Sequence, residues 1–395
     1  MKREGPLREG FTTGTAAAGA AKAATLLLLG GQPPQQVDVP LPGGGRMELP
    51  VAAAWRDGQT ASATIVKDGG DDPDVTHGAR IGCRVTALGP PGGVLVTGGE
   101  GVGRVTLPGL PVSVGQAAIN PAPRAQIAAA VAEAAAACGY GGGLSATVTV
   151  ADGERLAKKT LNPRLGIVGG ISILGVSGIV RPFSHGAWEA SIAESLDVAR
   201  AMGHDTIGFS TGRRSEALLQ QTMPHLPETA CIQAADCFAF ALTQAARRHF
   251  PHLVWAVFGG KLVKMAQGLE NTHAHKGATD FSALAGWCAD AGWPEPLARQ
   301  AATANTARHA FEMAATPQAK IALVARLTEE ALRHMRRFAG QMPQLTLLVF
   351  DFDGTLLRRK DAEADGGGEG ERGEAGASPL HPTGGIIPPD PCKQD

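Results

Sequence analysis

Along the chain, short apolar runs alternate with longer alanine- and leucine-rich stretches, and glycine or proline marks most junctions. Thr12-Thr13-Gly14-Thr15 precedes an alanine-rich stretch over 16–29 that closes at Gly30-Gly31. That pattern predicts a helix with a threonine N-cap and a glycine C-cap, its start offering free amides and hydroxyls. Strands are predicted at 37–41, 47–52, 61–66, 80–88 and 94–97, then a second alanine-rich helix over 123–138 and a strand at 145–150. The second half alternates differently: helix 187–203, strand 206–210, loop 211–214, helix to about 222, strand 231–233, helix 236–248 and strand 253–258, which ends in Gly259-Gly260-Lys261. Strand–loop–helix repetition predicts a parallel, doubly wound sheet, whose glycine-bearing strand ends suit a nucleotide-like cofactor. Helices at 281–292, 296–313 and 318–339 and a strand at 345–350 complete it. The expected fold class is an α+β domain over 1–160, followed by an α/β domain with a mainly parallel sheet over 161–350. From 358 to 395 the composition turns to Gly, Glu, Asp and Pro, and a disordered tail is expected.

Composition narrows the function classes. The 395 residues carry a net charge of −1, so no global field recruits nucleic acid or an anionic membrane. An anionic ligand must instead meet a local cationic cluster. The 53 glycines and 27 prolines favour many tight loops over a helical bundle. Six cysteines lie far apart with no CxxC pair, which weakens zinc and disulfide-scaffold readings. The N-terminus leads into no signal-like apolar core, and the leucine run 26–29 is too short to span a bilayer. A cytoplasmic protein with reduced thiols is expected.

Residues 67–78, Lys-Asp-Gly-Gly-Asp-Asp-Pro-Asp-Val-Thr-His-Gly, are the densest chemistry in the chain. Asp71 and Asp72 repel each other, Pro73 removes an amide donor, and the glycines are entropically costly to order. A loop with those costs reads as a site. A solvated acidic turn is the bland alternative. An EF-hand is excluded by spacing: counted from Asp68, the third, sixth and twelfth positions are Gly70, Pro73 and Ala79.

Four further glycine-rich polar segments start at Gly98, Ala118, Lys158 and Phe258. With the 67–78 loop they place Lys67, Arg104, Arg124, Lys158, Lys159, Arg164, Lys261 and Lys264 beside exposed backbone. Each alone is ordinary surface charge. Gathered round one cleft they would suit a ligand with several carboxylates or phosphates.

In order and spacing, FTTGTAAAGAAKAA, KDGGDDPDVTHG, GGEGVGRVTLPGL, AINPAPR, KKTLNPRLGIVGGISILGVSGIV and GGKLVKMAQGLENTH resemble the cobalt-precorrin-5B C(1)-methyltransferase family, CbiD, over roughly residues 8–290. The resemblance implies methyl transfer from S-adenosylmethionine, as co-substrate, to C1 of a cobalt-corrinoid in the anaerobic route to cobalamin. Such a substrate bears acetate and propionate arms, which fits local cations on a nearly neutral chain. The chemistry requires no protein-bound metal, only positioning of methyl and ring carbon. On this reading Asp68, Asp71, Asp72 and Asp74 are candidates to hold the sulfonium, and His77 to move a proton. Substrate contacts are expected from Lys67, Arg104, Asn120, Arg124, Lys158, Lys159, Asn162 and Arg164. Cofactor contacts are expected from Thr12, Thr13, Gly14, Thr15, Gly212, Asp236, Gly259, Gly260, Lys261, Lys264, Thr272 and His273. The corrinoid is the only expected partner, with no nucleic acid and no membrane; a homodimer stays open.

Departures from the family pattern fall at Ser210-Thr211-Gly212, where Pro-Gly-Asn is usual, at Asp236-Cys237, where Asn-Phe is usual, and at Ala239 and Ala16, where Gly and Cys are common. They define a second reading, a catalytically lapsed corrinoid- or nucleotide-binding protein. A third rests on Asp351-Phe352-Asp353-Gly354-Thr355-Leu356, which is similar to the opening motif of the haloacid dehalogenase phosphatases but lacks the domain that should follow.

Overall fold

The alternating pattern resolves into two main sheets with helices against them, in a computed structural model that describes residues 6–90, 92–273, 277–342 and 344–363. The chain enters through β1 (Gly10–Phe11) into α1 (Thr13–Gly30). The Thr12 hydroxyl caps α1 by accepting from the Thr15 amide, and Gly31 ends it at φ 77°, a left-handed value that glycine adopts at little cost. Alanines line most of α1 because it is buried on several sides, against the first sheet and against α2 (Pro121–Ala137). Gly14 permits that approach: a Cβ there would lie 2.9 Å from the Pro123 ring.

A hairpin of β2 (Gln36–Pro40) and β3 (Arg46–Pro50) flanks the first sheet. The sheet itself holds β4 (Ala53–Asp57), β5 (Thr60–Val66), β6 (Arg80–Ala87) and β7 (Gly93–Gly98). Two short strands follow, β8 (Gly101–Val102) and β9 (Arg104–Val105), before β10 (Gly143–Val150) completes it. The order is β4-β5-β6-β10-β7, antiparallel except for the β10–β7 pair. After the single turn α3 (Gly153–Ala157), the chain stays beside this sheet. There β11 (Ile167–Val168) pairs with β9, β12 (Gly170–Ile171) with β8, and β13 (Ile179–Val180) with β1.

The second sheet follows α4 (His185–Ala201): β14 (Thr206–Ser210), α5 (Arg213–Thr222), β15 (Cys231–Gln233), α6 (Phe238–Arg247), β16 (His252–Phe258) and α7 (Gly259–Ala266). Then come α8 (Phe281–Asp290), α9 (Glu295–Ala301), α10 (Ala307–Glu312), α11 (Pro317–Ala339), β17 (Gln344–Phe350) and β18 (Leu356–Glu363). The order is β15-β14-β16-β17-β18, with the first four strands parallel. Phe209, Phe238 and Trp255 form its aromatic centre, each of the first two 5.1 Å from the indole.

Four expectations are corrected. Gly259-Gly260-Lys261 is the first turn of α7 rather than a loop, because Leu262, Val263, Met265 and Ala266 bury one helical face. The helix expected over 296–313 is two helices, α10 restarting where the Thr306 hydroxyl accepts from the His309 amide. β4, α3 and the two-residue strands β1, β8, β9, β11, β12 and β13 are additions to the expected elements. Residues 358–363 are not tail: they lie in β18, antiparallel to β17, and only 364–395 of the expected tail lies outside the described residues.

Candidate functional site

The 67–78 loop uses its carboxylates on the protein itself. Asp68 accepts from Arg8 Nη2 at 2.9 Å and from the Gly70 amide at 2.8 Å. The Arg8 hydrogen bond, opposed by partial burial, holds the Asp68 carboxyl at about 2. Asp71 accepts the Arg8 amide at 2.8 Å, and Asp72 accepts the Phe183 amide at 2.9 Å. Lys67 is the exception to surface charge: its side chain is 1% exposed, and its ammonium lies 2.5 Å from Asp74. Burial alone would raise Asp74, but Lys67 and the Thr76 donors hold it below the usual carboxylate range. His77 accepts from the Gly69 amide through Nδ1 at 3.0 Å, with Asp68 Oδ1 3.6 Å away. Gly70, at φ 65°, lets the N-terminal segment pass so closely that a Cβ would lie 2.1 Å from the Arg8 carbonyl oxygen.

Beside the Lys67–Asp74 pair opens a cleft of about 260 Å³. Thr12 and Thr13 line it from the start of α1, Lys67, Asp74 and Thr76 from the loop, and Asn120 from the N-cap of α2. Thr160, Asn162 and Ser172 come from the segment after α3, and Ser191 and Glu194 from α4. The walls are apolar, among them Val105, Leu110, Val112, Leu165, Ile167 and Leu174. Most of its polar groups are already bonded. Asn162 Nδ2 donates to the Gly170 carbonyl (3.1 Å) and its Oδ1 accepts from Ser172 Oγ (3.2 Å). Thr13 Oγ1 accepts from the Leu174 amide at 2.9 Å. The Asn120 and Glu194 side chains have no hydrogen bond or ion pair among the described residues.

Of the expected free amides at the start of α1, two are taken: Gly14 donates to the Leu174 carbonyl and Thr15 to Thr12 Oγ1, while the Thr15 hydroxyl donates to the Gly178 carbonyl. Nor do the eight cations gather round one cleft. Only Lys67 lines it. Arg104 donates to the Gly115 carbonyl, Arg124 to that of Val96, and Arg164 pairs with Glu216 and Glu228. Lys158 and Lys159 stay exposed, directly before Thr160 at the cleft edge.

Asp236, Lys261, Lys264 and Thr272 form a second cluster at the second sheet. Asp236 contacts Lys261 and accepts from Thr272 Oγ1 at 2.8 Å. Lys264 donates to the Thr272 carbonyl at 3.0 Å. Burial, and then the neighbouring Lys264 ammonium, push Lys261 down to about 8, a shift the Asp236 contact opposes. The His273 amide donates to Asn271, and its ring lies 6.5 Å from that of His185. Gly212 precedes α5 in extended backbone at φ 161°, and a Cβ there would meet open space. A Cβ at Gly259 would lie 3.0 Å from the Phe311 ring. None of these residues lines the cleft. Asp351 and Asp353 sit in the turn between β17 and β18, Asp351 paired with Lys320 at 2.5 Å and Asp353 accepting the Thr355 amide.

Glu194 is the charged lining residue that sequence reasoning missed, together with the hydroxyls of Thr76, Thr160, Ser172 and Ser191. Its signal was helical period: Ser191 and Glu194 share a stripe of α4 with Val198, which is 1% exposed. Among the described residues no group of His, Cys, Asp and Glu could hold a metal ion, and no helix is long and apolar enough to cross a membrane.

Comparison with known proteins gives one consistent result. A family model described as CbiD matches residues 1–182, and one described as CbiD, C-terminal domain, matches 271–361. The cobalt-precorrin-5B C(1)-methyltransferase of Nitratidesulfovibrio vulgaris is 51% identical, over 89% of this chain and 92% of that protein. Proteins of the same name from Geobacillus thermodenitrificans and a Bradyrhizobium species are 47% and 45% identical, over 79% and 90% of this chain and 84% and 94% of theirs. A crystal structure of a cobalamin biosynthesis protein (cbiD) from Archaeoglobus fulgidus is 28% identical and covers 66% of this chain and 80% of that one. Its TM-score of 0.37 is too low for positions to be compared.

Proposed function

The chain belongs to the CbiD family, and on that premise we propose that it transfers a methyl group from S-adenosylmethionine to C1 of cobalt-precorrin-5B, giving cobalt-precorrin-6A in anaerobic cobalamin biosynthesis. One observation carries the siting of that reaction: five of the six segments that carry the family resemblance contribute side chains to the same cleft. The sixth, GGKLVKMAQGLENTH, forms α7 and the Asp236 cluster instead.

The cleft suits a sulfonium donor. Its walls are apolar, and its Asn120 amide is unengaged by the protein among the described residues. S-adenosylmethionine supplies an electrophilic methyl group and leaves as a neutral thioether. The chain's part is to orient and to exclude water. Lys67 and Asp74 neutralise each other at the polar end and fix it; Thr13 and Asn162 bind the 170–174 backbone, and the Ser172 hydroxyl donates to Asn162 Oδ1. Lys158 and Lys159, exposed directly before the cleft-lining Thr160, are free to meet carboxylate arms, while exposed Val176 and Phe183 offer apolar surface to a macrocycle. A cytoplasmic setting goes with this reading, since the described cysteines are all free thiols.

The departures at 210–212 and 236–239 fall outside the cleft, so they do not favour a lapsed relative. The test is incubation of the full chain with methyl-labelled S-adenosylmethionine and cobalt-precorrin-5B, read by carbon NMR of the corrinoid. Label at C1 is the expected result. Unlabelled corrinoid, or label at another carbon, overturns the assignment.

A further inference from the structure

The charges lining the cleft do not cancel. Lys67 and Asp74 form a closed pair, leaving Glu194 as the remaining charged side chain. It has no hydrogen bond or ion pair among the described residues. Its place is set by α4. One turn further on, Val198 is buried with Val105, Ala118, Leu165 and Ile167, the small core that forms the apolar wall. That anchor turns Glu194 towards the same space, next to Ser191, whose hydroxyl is satisfied by the Ala187 carbonyl.

A carboxylate there has two possible ligand chemistries. It repels the acetate and propionate arms of a corrinoid and attracts a cation. An apolar wall lowers the effective dielectric and strengthens that attraction. Resting on the methyl-donor reading above, we propose that Glu194 is the counter-charge for the sulfonium and sets preference for the charged donor over its neutral product. The loss of that attraction after transfer also favours release of the thioether. Burial and the nearby Asp197 raise the Glu194 pKa, and a cation beside the carboxylate would favour its charged form. Asp197 itself is paired with Arg248 at 2.7 Å and is not the available partner.

The experiment is calorimetric titration of the full chain with S-adenosylmethionine and, separately, S-adenosylhomocysteine. Wild type, Glu194→Gln and Lys261→Met are compared, with thermal melts confirming that each variant folds. Glu194→Gln is expected to weaken S-adenosylmethionine by about tenfold or more while leaving S-adenosylhomocysteine within about twofold. Lys261→Met, at the second cluster, is expected to change neither. Equal weakening of both ligands, or no change in either, overturns the counter-charge assignment while leaving the methyl-donor reading in place. Wild-type protein that binds neither ligand overturns both.

Discussion

The Phe183 amide donates to Asp72 Oδ1 across 2.9 Å, and Phe183 stands at φ 56° with its side chain largely in solvent. A left-handed backbone costs a bulky L-residue about 1 kcal/mol, and an exposed ring returns little of it through burial. The acidic loop thus holds a strained aromatic residue just past β13, whose Val180 lines the cleft. Strain retained at an exposed position points to a binding surface.

Phe183→Gly is expected to stabilise the fold by about 1 kcal/mol in urea denaturation, because glycine removes the left-handed cost. The same variant should weaken corrinoid binding, read by absorbance titration with a cobalt-corrinoid. Destabilisation by Phe183→Gly would mean that the ring contributes to the fold.

Asp74→Asn should cost about 3 kcal/mol or more, because it leaves the buried Lys67 ammonium without its carboxylate. Replacing both partners, as Lys67→Met with Asp74→Leu, should recover most of that loss. Chemical denaturation of the three proteins checks it.

Acid stability follows from the same loop. Asp68 and Asp74 titrate lower in the folded chain than in the unfolded one, so the unfolded chain takes up protons first as pH falls. Their contribution is complete above about pH 4 and is lost as pH falls towards the folded Asp68 value of about 2. Asp68→Asn should flatten this part of the stability profile, measured by urea unfolding at successive pH values.

Burial pushes the Cys83 and Cys288 thiols up to about 12 and Cys231 to about 11. At neutral pH an aromatic disulfide reagent should therefore leave all three unmodified in the native protein and label them after denaturation. Peptide mapping of the labelled sites gives the answer.

Much of the scaffold was legible in the sequence because local signals agreed with tertiary burial. The Thr12 cap, the Gly31 stop and the parallel strands at Thr206–Ser210 and His252–Phe258 all stand near their expected places. Legibility failed where long-range pairing overrode local pattern. Residues 358–363 read as the start of a disordered tail, yet they lie in the edge strand against β17, where alternate side chains can face water. Gly259 and Gly260 suggest a loop, yet with the apolar face that follows they form a helix start, Gly259 buried. In the site, residue types were legible but their engagements were not. Nothing in sequence spacing shows that Arg124 reaches the Val96 carbonyl, or that Glu194 reaches no partner among the described residues.

The central claim, that the cleft beside Lys67 and Asp74 holds the methyl donor, is tested most directly by a crystal structure of the full chain with S-adenosylhomocysteine. The thioether sulfur is expected inside the cleft, bounded by Asn120, Asn162 and Glu194. Ligand density at the carboxyl ends of β14 and β16, beside Gly212 and Gly259, with none in the cleft, would contradict it.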